Sequence, residues 1–270
     1  MANKKTLVFI IAVILIVSGI VFFTVKSLES SPRDYPQIEK SGVINFVTDY
    51  NSIGYYVSDD TIAGFNYELI QLLKSYIPLN VEVYLESNLD KCIEGLKSGK
   101  YDVLARNIPV TSELRDTLSF TEPIAQNRQV LVQRKKDYNN GVEPIRSHLN
   151  LAKKELYVPL NSPAILRIRN LSHEIGDTIF IKEDENYNSE QLAMLVATKN
   201  IDYAVCDAKI AASVAKSLPE IDYSTLIGFT HIEAWAVSEE SPLLLDSINS
   251  WIKKVKNSPQ YIVIYKKYYE

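Results

Sequence analysis

Two decapeptides in opposite halves of the chain share one pattern. Residues 96–105 read LKSGKYDVLA and residues 196–205 read VATKNIDYAV, so Asp102 and Asp202 occupy the same point of a helix–turn–strand unit. Gly99 and Asn200 stand at the two helix ends, where left-handed backbone is wanted. The surroundings alternate in the same way. Val43–Thr48 (VINFVT), residues 81–85 (VEVYL) and residues 102–105 are strand-like. Between them, residues 67–77 place Leu69, Ile70, Leu73 and Ile77 on one helical face, and Leu89–Lys97 does so with Leu89, Cys92, Ile93 and Leu96. In the second half, strand-like residues 156–160, 178–181 and 202–205 are separated by helical residues 164–171 and 190–198. This alternation predicts α/β layers around mainly parallel sheets. If the echo is more than chance within generic α/β sequence, the chain forms two similar lobes, with a ligand cleft beyond the carboxyl ends of the strands.

The expected crossovers between the lobes lie at residues 122–127 and 238–242. The strands 128–134 (RQVLVQR) and 231–237 (HIEAWAV) that adjoin them are expected to pair antiparallel. Two helices, residues 243–255 and 259–268, close the chain. The first carries its apolar face on Leu244, Ile248, Trp251 and Ile252.

Ahead of this body, the 20 residues from Thr6 to Val25 (TLVFIIAVILIVSGIVFFTV) hold no charge. A helix of about 20 apolar residues spans a hydrocarbon core of roughly 30 Å. A cleaved signal, giving a secreted protein, is the competing reading. Its apolar core is usually about 7–15 residues and ends in small residues, whereas this run ends in Val25-Lys26-Ser27-Leu28-Glu29. A buried core helix is a third reading. No Cys near the end of the run provides for a lipoprotein anchor. Lys4 and Lys5 before the span are offset by Lys26, Arg33 and Lys40 after it. The short head is easier to leave inside, which puts the body on the extracytoplasmic side of the cytoplasmic membrane. Residues 27–42, with two Pro and mixed charge, read as a tether.

Charge and composition remove several functions. Of 29 Lys and Arg, Lys4, Lys5 and Lys26 fall in the first 26 residues, which hold no acid; the remaining 26 face 33 acids. So acidic a body is a poor binder of nucleic-acid phosphates. Two Cys make no disulfide framework, and His148, His173 and His231 are scattered. Cys92 and Cys206 read as buried free thiols. No nucleophile elbow, phosphate loop, HExxH or CxxC occurs, so no enzyme, metal or cofactor is expected. Acid runs at Asp59-Asp60 and at residues 183–185 read as solvated loops.

The sharper signals are polar residues closing apolar strands. Arg106 and Asn107 end one strand of the echo and Asp207 ends the other. Thr111-Ser112-Glu113 and Asn161-Ser162-Pro163 read as helix starts, whose free N–H groups can hold an anion or simply be capped.

Three stretches, in order, carry a family resemblance. Residues 47–73 (VTDYNSIGYYVSDDTIAGFNYELIQLL) contain Asp49 and resemble an opening strand, an aromatic-bearing loop and a G-F-D-x-x-L helix. Residues 96–124 (LKSGKYDVLARNIPVTSELRDTLSFTEPI) resemble a helix, strand, T-x-E-R turn and F-S-x-P-Y end. Residues 200–216 (NIDYAVCDAKIAASVAK) resemble a second-lobe strand whose closing Asp holds a ligand amino group. In this order they resemble a bacterial extracellular solute-binding protein of family 3, and in particular the solute-binding-like module of membrane-bound lytic transglycosylases. The resemblance covers residues 43–270 and leaves no room for a lysozyme-like catalytic domain.

That resemblance implies a type 2 periplasmic-binding-protein-like fold behind one N-terminal transmembrane helix. Residues 43–126 and 240–270 would form lobe 1, and residues 127–239 lobe 2. It implies a membrane-tethered, non-catalytic protein that closes on a small polar solute: an amino acid, short peptide or cell-wall fragment. A membrane permease of an ABC transporter or a cell-wall enzyme would be its partner. The alternative is a ligand-sensing or regulatory module without transport. In the implied site, Tyr55 packs on the ligand, Thr111 stands at the turn, and Asp207 takes an amino group. Leu114 occupies the place of the family's carboxylate-binding Arg, with Arg115 one position late and Arg106 as a possible substitute. Pro109 stands for a Ser or Thr, and Asn107 for a Gly.

Overall fold

The computed structural model describes residues 31–269. The expected membrane helix over Thr6–Val25 lies outside these residues, as does the first part of the tether. Among the described residues no helix is long and apolar enough to cross a membrane.

Two β-sheets, one in each lobe, organise the chain, and their strand orders match. The six-stranded sheet runs Asn80–Leu85, Val43–Thr48, Val103–Pro109, His231–Ser238 and Leu118–Phe120, with Ala125–Asn127 also paired to His231–Ser238. The five-stranded sheet runs Phe180–Asp184, Glu155–Pro159, Ala204–Asp207, Gln129–Arg134 and Ile221–Leu226. In each sheet the first three strands are parallel, and the fourth runs antiparallel to the third. The echo seen in the sequence is therefore structural, since its two units feed the third strand of each sheet. Each echo Asp meets an arginine. Arg33 pairs with Asp102, whose side chain is fully buried, and Arg134 pairs with Asp202. The left-handed residue at the second helix end is Lys199 (φ 65°), the counterpart of Gly99 (φ 68°), and not Asn200 as expected.

The crossovers differ from expectation. His231–Ser238 pairs with Ala125–Asn127, Val103–Pro109 and Leu118–Phe120, so it belongs to lobe 1 rather than lobe 2. It does not pair with Gln129–Arg134, whose antiparallel partners are Ala204–Asp207 and Ile221–Leu226. The second crossing thus falls at residues 227–230, beside the first at Asn127-Arg128. Ile227 N–H bonds the Gln129 carbonyl at 2.8 Å, which holds the two crossings together. Two adjacent crossings make a hinge. The second bends at Ile227 and Gly228, and the apolar run that follows gives no local sign of which sheet it joins.

The expected tether is folded from Arg33 onward. Tyr35–Ser41 is a helix with Asp34 at its N-cap, Pro36 in its first turn and Gly42 as its left-handed C-cap. Asp34 also accepts the N–H groups of Leu243 and Leu244, so this segment is bonded to the start of the helix Pro242–Lys256. Ile38, fully buried, anchors it in the core, and Tyr35 packs edge-on to Trp251. Two apolar contacts in seven residues are too sparse to show as periodicity. The core of lobe 1 centres on Trp235, which lies edge-on to Phe46 and donates from its indole N–H to Asn66 Oδ1 at 2.9 Å. Asp59 and Asp60, expected in a solvated loop, both take positive φ in a tight turn between the paired strands Tyr56–Ser58 and Thr61–Ala63.

Candidate functional site

A cleft of about 490 Å³ lies between the lobes, a volume typical of small-molecule sites. Lobe 1 contributes residues 49–51, 86–89 and 106–109; lobe 2 contributes residues 159–164, 184–191 and 205–207. Asn127, Gln129 and Glu233, next to the hinge, and Tyr269 from the last helix also line it. The parallel strands deliver most of these groups from their carboxyl ends, while Gln129 and Glu233 come from the amino-terminal ends of the antiparallel strands Gln129–Arg134 and His231–Ser238.

Six expected residues line the cleft: Asp49, Arg106, Asn107, Asn161, Ser162 and Asp207. Arg106 Nε lies 3.2 Å from Asp49 Oδ2, and its Nη1 donates to the Ser87 carbonyl at 3.0 Å. Asn107 donates through Nδ2 to Tyr269 Oη, while its Oδ1 is buried with no hydrogen-bond partner among the described residues. Asn161 takes a left-handed φ of 54° and bonds Asp90 through its side-chain amide. Ser162 Oγ accepts the Ala164 N–H, an ordinary helix-start contact. Asp207 opens the helix Ala208–Ser217, yet its carboxylate makes no capping bond to that helix.

Three expected residues are not on the cleft wall. Tyr55 packs edge-on to Tyr67, with ring centroids 5.2 Å apart, and beside Tyr50. The aromatics on the wall are Tyr50, half exposed, Tyr187 and Tyr269. Thr111 caps the short helix Ser112–Arg115 by accepting the Leu114 N–H. Arg115 is exposed and stacks over Phe120, whereas Leu114 packs on the apolar cluster under the sheet. Successive helical residues point about 100° apart, and here the apolar one turns inward.

Sequence reasoning missed the hinge groups. Glu233 is fully buried; its Oε1 accepts from Asn127 Nδ2 and its Oε2 from Tyr269 Oη, both at 3.1 Å. His231 Nε2 lies 3.8 Å from Glu233 Oε1, an ion-pair distance too long for a hydrogen bond. The available signal was Glu233 itself, a lone acid within the apolar run IEAWAV. Asp207, His231 and Glu233 are the described residues with metal-ligand spacing, their donor atoms all lying within 4.8 Å.

Charge shapes this corner. Burial, then repulsion from Glu233, pushes the Asp207 carboxyl up to about 7. Burial opposes the charged form of His231, but Glu233 and Asp207 together outweigh it and raise the imidazole above its ordinary value. Burial and Glu233 also push the Tyr269 phenol well up, which keeps it a neutral donor. The lobes bond directly across the cleft as well. Ser52 N–H donates to Glu190 Oε2 at 2.7 Å, Asn188 Nδ2 to the Tyr50 carbonyl at 3.3 Å, and Lys209 Nζ to the Tyr269 carbonyl.

The profile of bacterial extracellular solute-binding proteins, family 3, matches residues 43–270. The chain belongs to this family. Among similar curated proteins is membrane-bound lytic murein transglycosylase F of Desulfosudis oleivorans, 26% identical over 233 residues that make up 86% of this chain and 50% of that protein. The protein of the same name from Aeromonas hydrophila is 27% identical over 203 residues, 75% of this chain and 40% of its own. This family 3 chain therefore spans half or less of these relatives. Solved structures share the fold. An ancestral arginine-binding protein bound to arginine superposes with TM-score 0.73 at 22% identity, over 85% of this chain and 99% of its own. A solute receptor for L-cysteine of Neisseria gonorrhoeae gives TM-score 0.74 at 20% identity, over 88% and 94%. An ancestral amino-acid-binding protein described as a precursor of cyclohexadienyl dehydratase gives 0.74 at 21%, over 87% and 99%.

Proposed function

We propose that this family 3 protein is a membrane-tethered, non-catalytic binding protein on the extracytoplasmic side. It closes two lobes on a small polar solute: an amino acid, short peptide or cell-wall fragment. The observation that carries this reading is the cleft, walled by polar side chains of both lobes around an uncapped Asp207. Asp207 fixes a cationic group of the solute, Tyr50 covers its apolar part, and Asn107 and Asn161 supply amides. The tether runs from the apolar segment Thr6–Val25. A hinge of two adjacent crossings supports domain closure as the binding motion.

Titration calorimetry with amino acids, dipeptides and muropeptides tests this, with small-angle scattering to read closure. The expected result is a saturable ligand that compacts the protein and is lost in Asp207→Ala with the fold intact. Binding unchanged in that variant refutes the assignment of Asp207.

One observation favours a second reading, a sensing or regulatory module that works beside a cell-wall enzyme rather than a permease. Relatives named as lytic transglycosylases match this chain over half or less of their length. Cross-linking in intact cells separates the two readings by whether an integral permease or a peptidoglycan enzyme is recovered.

A further inference from the structure

The charges lining the cleft are unequal, and the inequality points to a ligand class. Lys91 and Arg106 are the cationic side chains on its wall among the described residues, against acids that include Asp49, Glu86, Glu185, Glu190, Asp207 and Glu233. Lys91 is exposed. Arg106 is held by Asp49 and the Ser87 carbonyl, so a ligand carboxylate would have to compete with Asp49 for it. Arg115 stacks on Phe120 away from the wall.

The anionic groups differ in how well they are satisfied. Glu233 has Asn127 and Tyr269 as donors and His231 as a counter-ion. Glu190 accepts the Ser52 N–H. Asp207 has no donor among the described residues, and Lys209, two residues on, is bonded to the Tyr269 carbonyl instead. His231, within 4.8 Å, is a counter-charge that Asp207 shares with Glu233, so one positive charge faces two carboxylates. A half-buried carboxylate without a hydrogen-bond donor is unfavourable until a donor or a further cation reaches it. An ammonium group supplies both at once, as charge-assisted N–H···O bonds.

We propose that the solute is an organic amine cation, a diamine or the basic end of a larger molecule, anchored on Asp207 without a clamp on an α-carboxylate. This rests on the solute-binding reading above and narrows it. Glu86 and Glu185 on the same wall can take a second cationic centre. Asp49 sets the specificity by occupying the guanidinium that a carboxylate would need.

The test is calorimetric titration of the purified full-length protein in detergent, with EDTA present throughout. Matched probes differ only in a carboxylate: cadaverine against lysine, and agmatine against arginine, with glutamine as a neutral zwitterion. Each amine is expected to bind at least as tightly as its amino acid, and glutamine more weakly than either. Asp207→Asn is expected to weaken cadaverine at least tenfold with unchanged circular dichroism. Asp49→Asn frees Arg106 and is expected to shift the preference toward lysine at least fivefold, a change that loss of structure would not produce. Lysine or glutamine binding tenfold tighter than cadaverine to the unmodified protein overturns the proposal, yet leaves a solute-binding protein. Binding of muropeptides but of no amine does the same. Binding of no probe of any kind, muropeptides included, refutes both.

Discussion

Replacing Asp207 with Asn is predicted to stabilise the ligand-free protein, and only at neutral and higher pH. The carboxyl lies at about 7 in the fold against 3.8 ordinarily, raised by burial and then by Glu233. A carboxyl that holds its proton more tightly when folded makes stability fall as pH rises from the unfolded value through the folded one. Three units at 1.36 kcal/mol each set a ceiling of about 4 kcal/mol, and water reaching Asp207 through the cleft reduces this to about 1–3 kcal/mol. At about pH 4 the folded carboxyl is protonated and the unfolded one, at 3.8, is about half ionised, so the variant and the parent should agree within about 0.6 kcal/mol. His231 acts in the same direction: its raised value adds stability at low pH that is lost as pH rises through it. The comparison is therefore repeated on a His231→Gln background. Urea unfolding followed by Trp235 and Trp251 fluorescence, at about pH 4 and pH 8, measures the difference. A gain of equal size at both pH values, or a loss at pH 8, would refute the charge argument.

Three further substitutions test the scaffold by the same unfolding assay. Lys199→Gly removes a side chain from a left-handed position on an exposed turn and should stabilise by up to about 1 kcal/mol. Arg33→Ala leaves the fully buried Asp102 carboxylate without its counter-ion and should destabilise by about 3 kcal/mol. Asn188→Ala removes the capping box of the helix Ser189–Ala197 and the bond to the Tyr50 carbonyl. It should cost about 1 kcal/mol and also loosen lobe–lobe contact in scattering.

What was readable in the sequence was what local pattern controls. Val43–Thr48 and Leu89–Lys97 appear with the expected bounds because each is a compact apolar run or face, the helix with a polar cap. The two-lobed layering followed from the echo, since a helix–turn–strand unit with an Asp at one point repeats only where the packing repeats. Arg106, Asn107 and Asp207 reached the cleft because a polar residue closing a parallel strand has little else to face. What failed was non-local. IEAWAV is equally apolar whichever sheet it joins, and the partner strand Ala125–Asn127 is too short to advertise itself. Arg115 was one helical position from Leu114, and the four-residue helix gave no periodicity to decide which of them turns inward.

The misplaced strand also explains why the hinge groups were invisible. Once His231–Ser238 belongs to the lobe 1 sheet, Glu233 and His231 belong to one lobe and Asp207 to the other, with residues 227–230 between them. Their grouping within 4.8 Å is thus created by the approach of the lobes and has no counterpart in sequence spacing. It follows that closure brings two carboxylates together, with His231 as the protein's own counter-charge. On the proposal that an amine binds at Asp207, the ligand supplies the missing positive charge only when the lobes meet. Its affinity for the closed form then exceeds that for the open form, which is the differential interaction a closing motion requires.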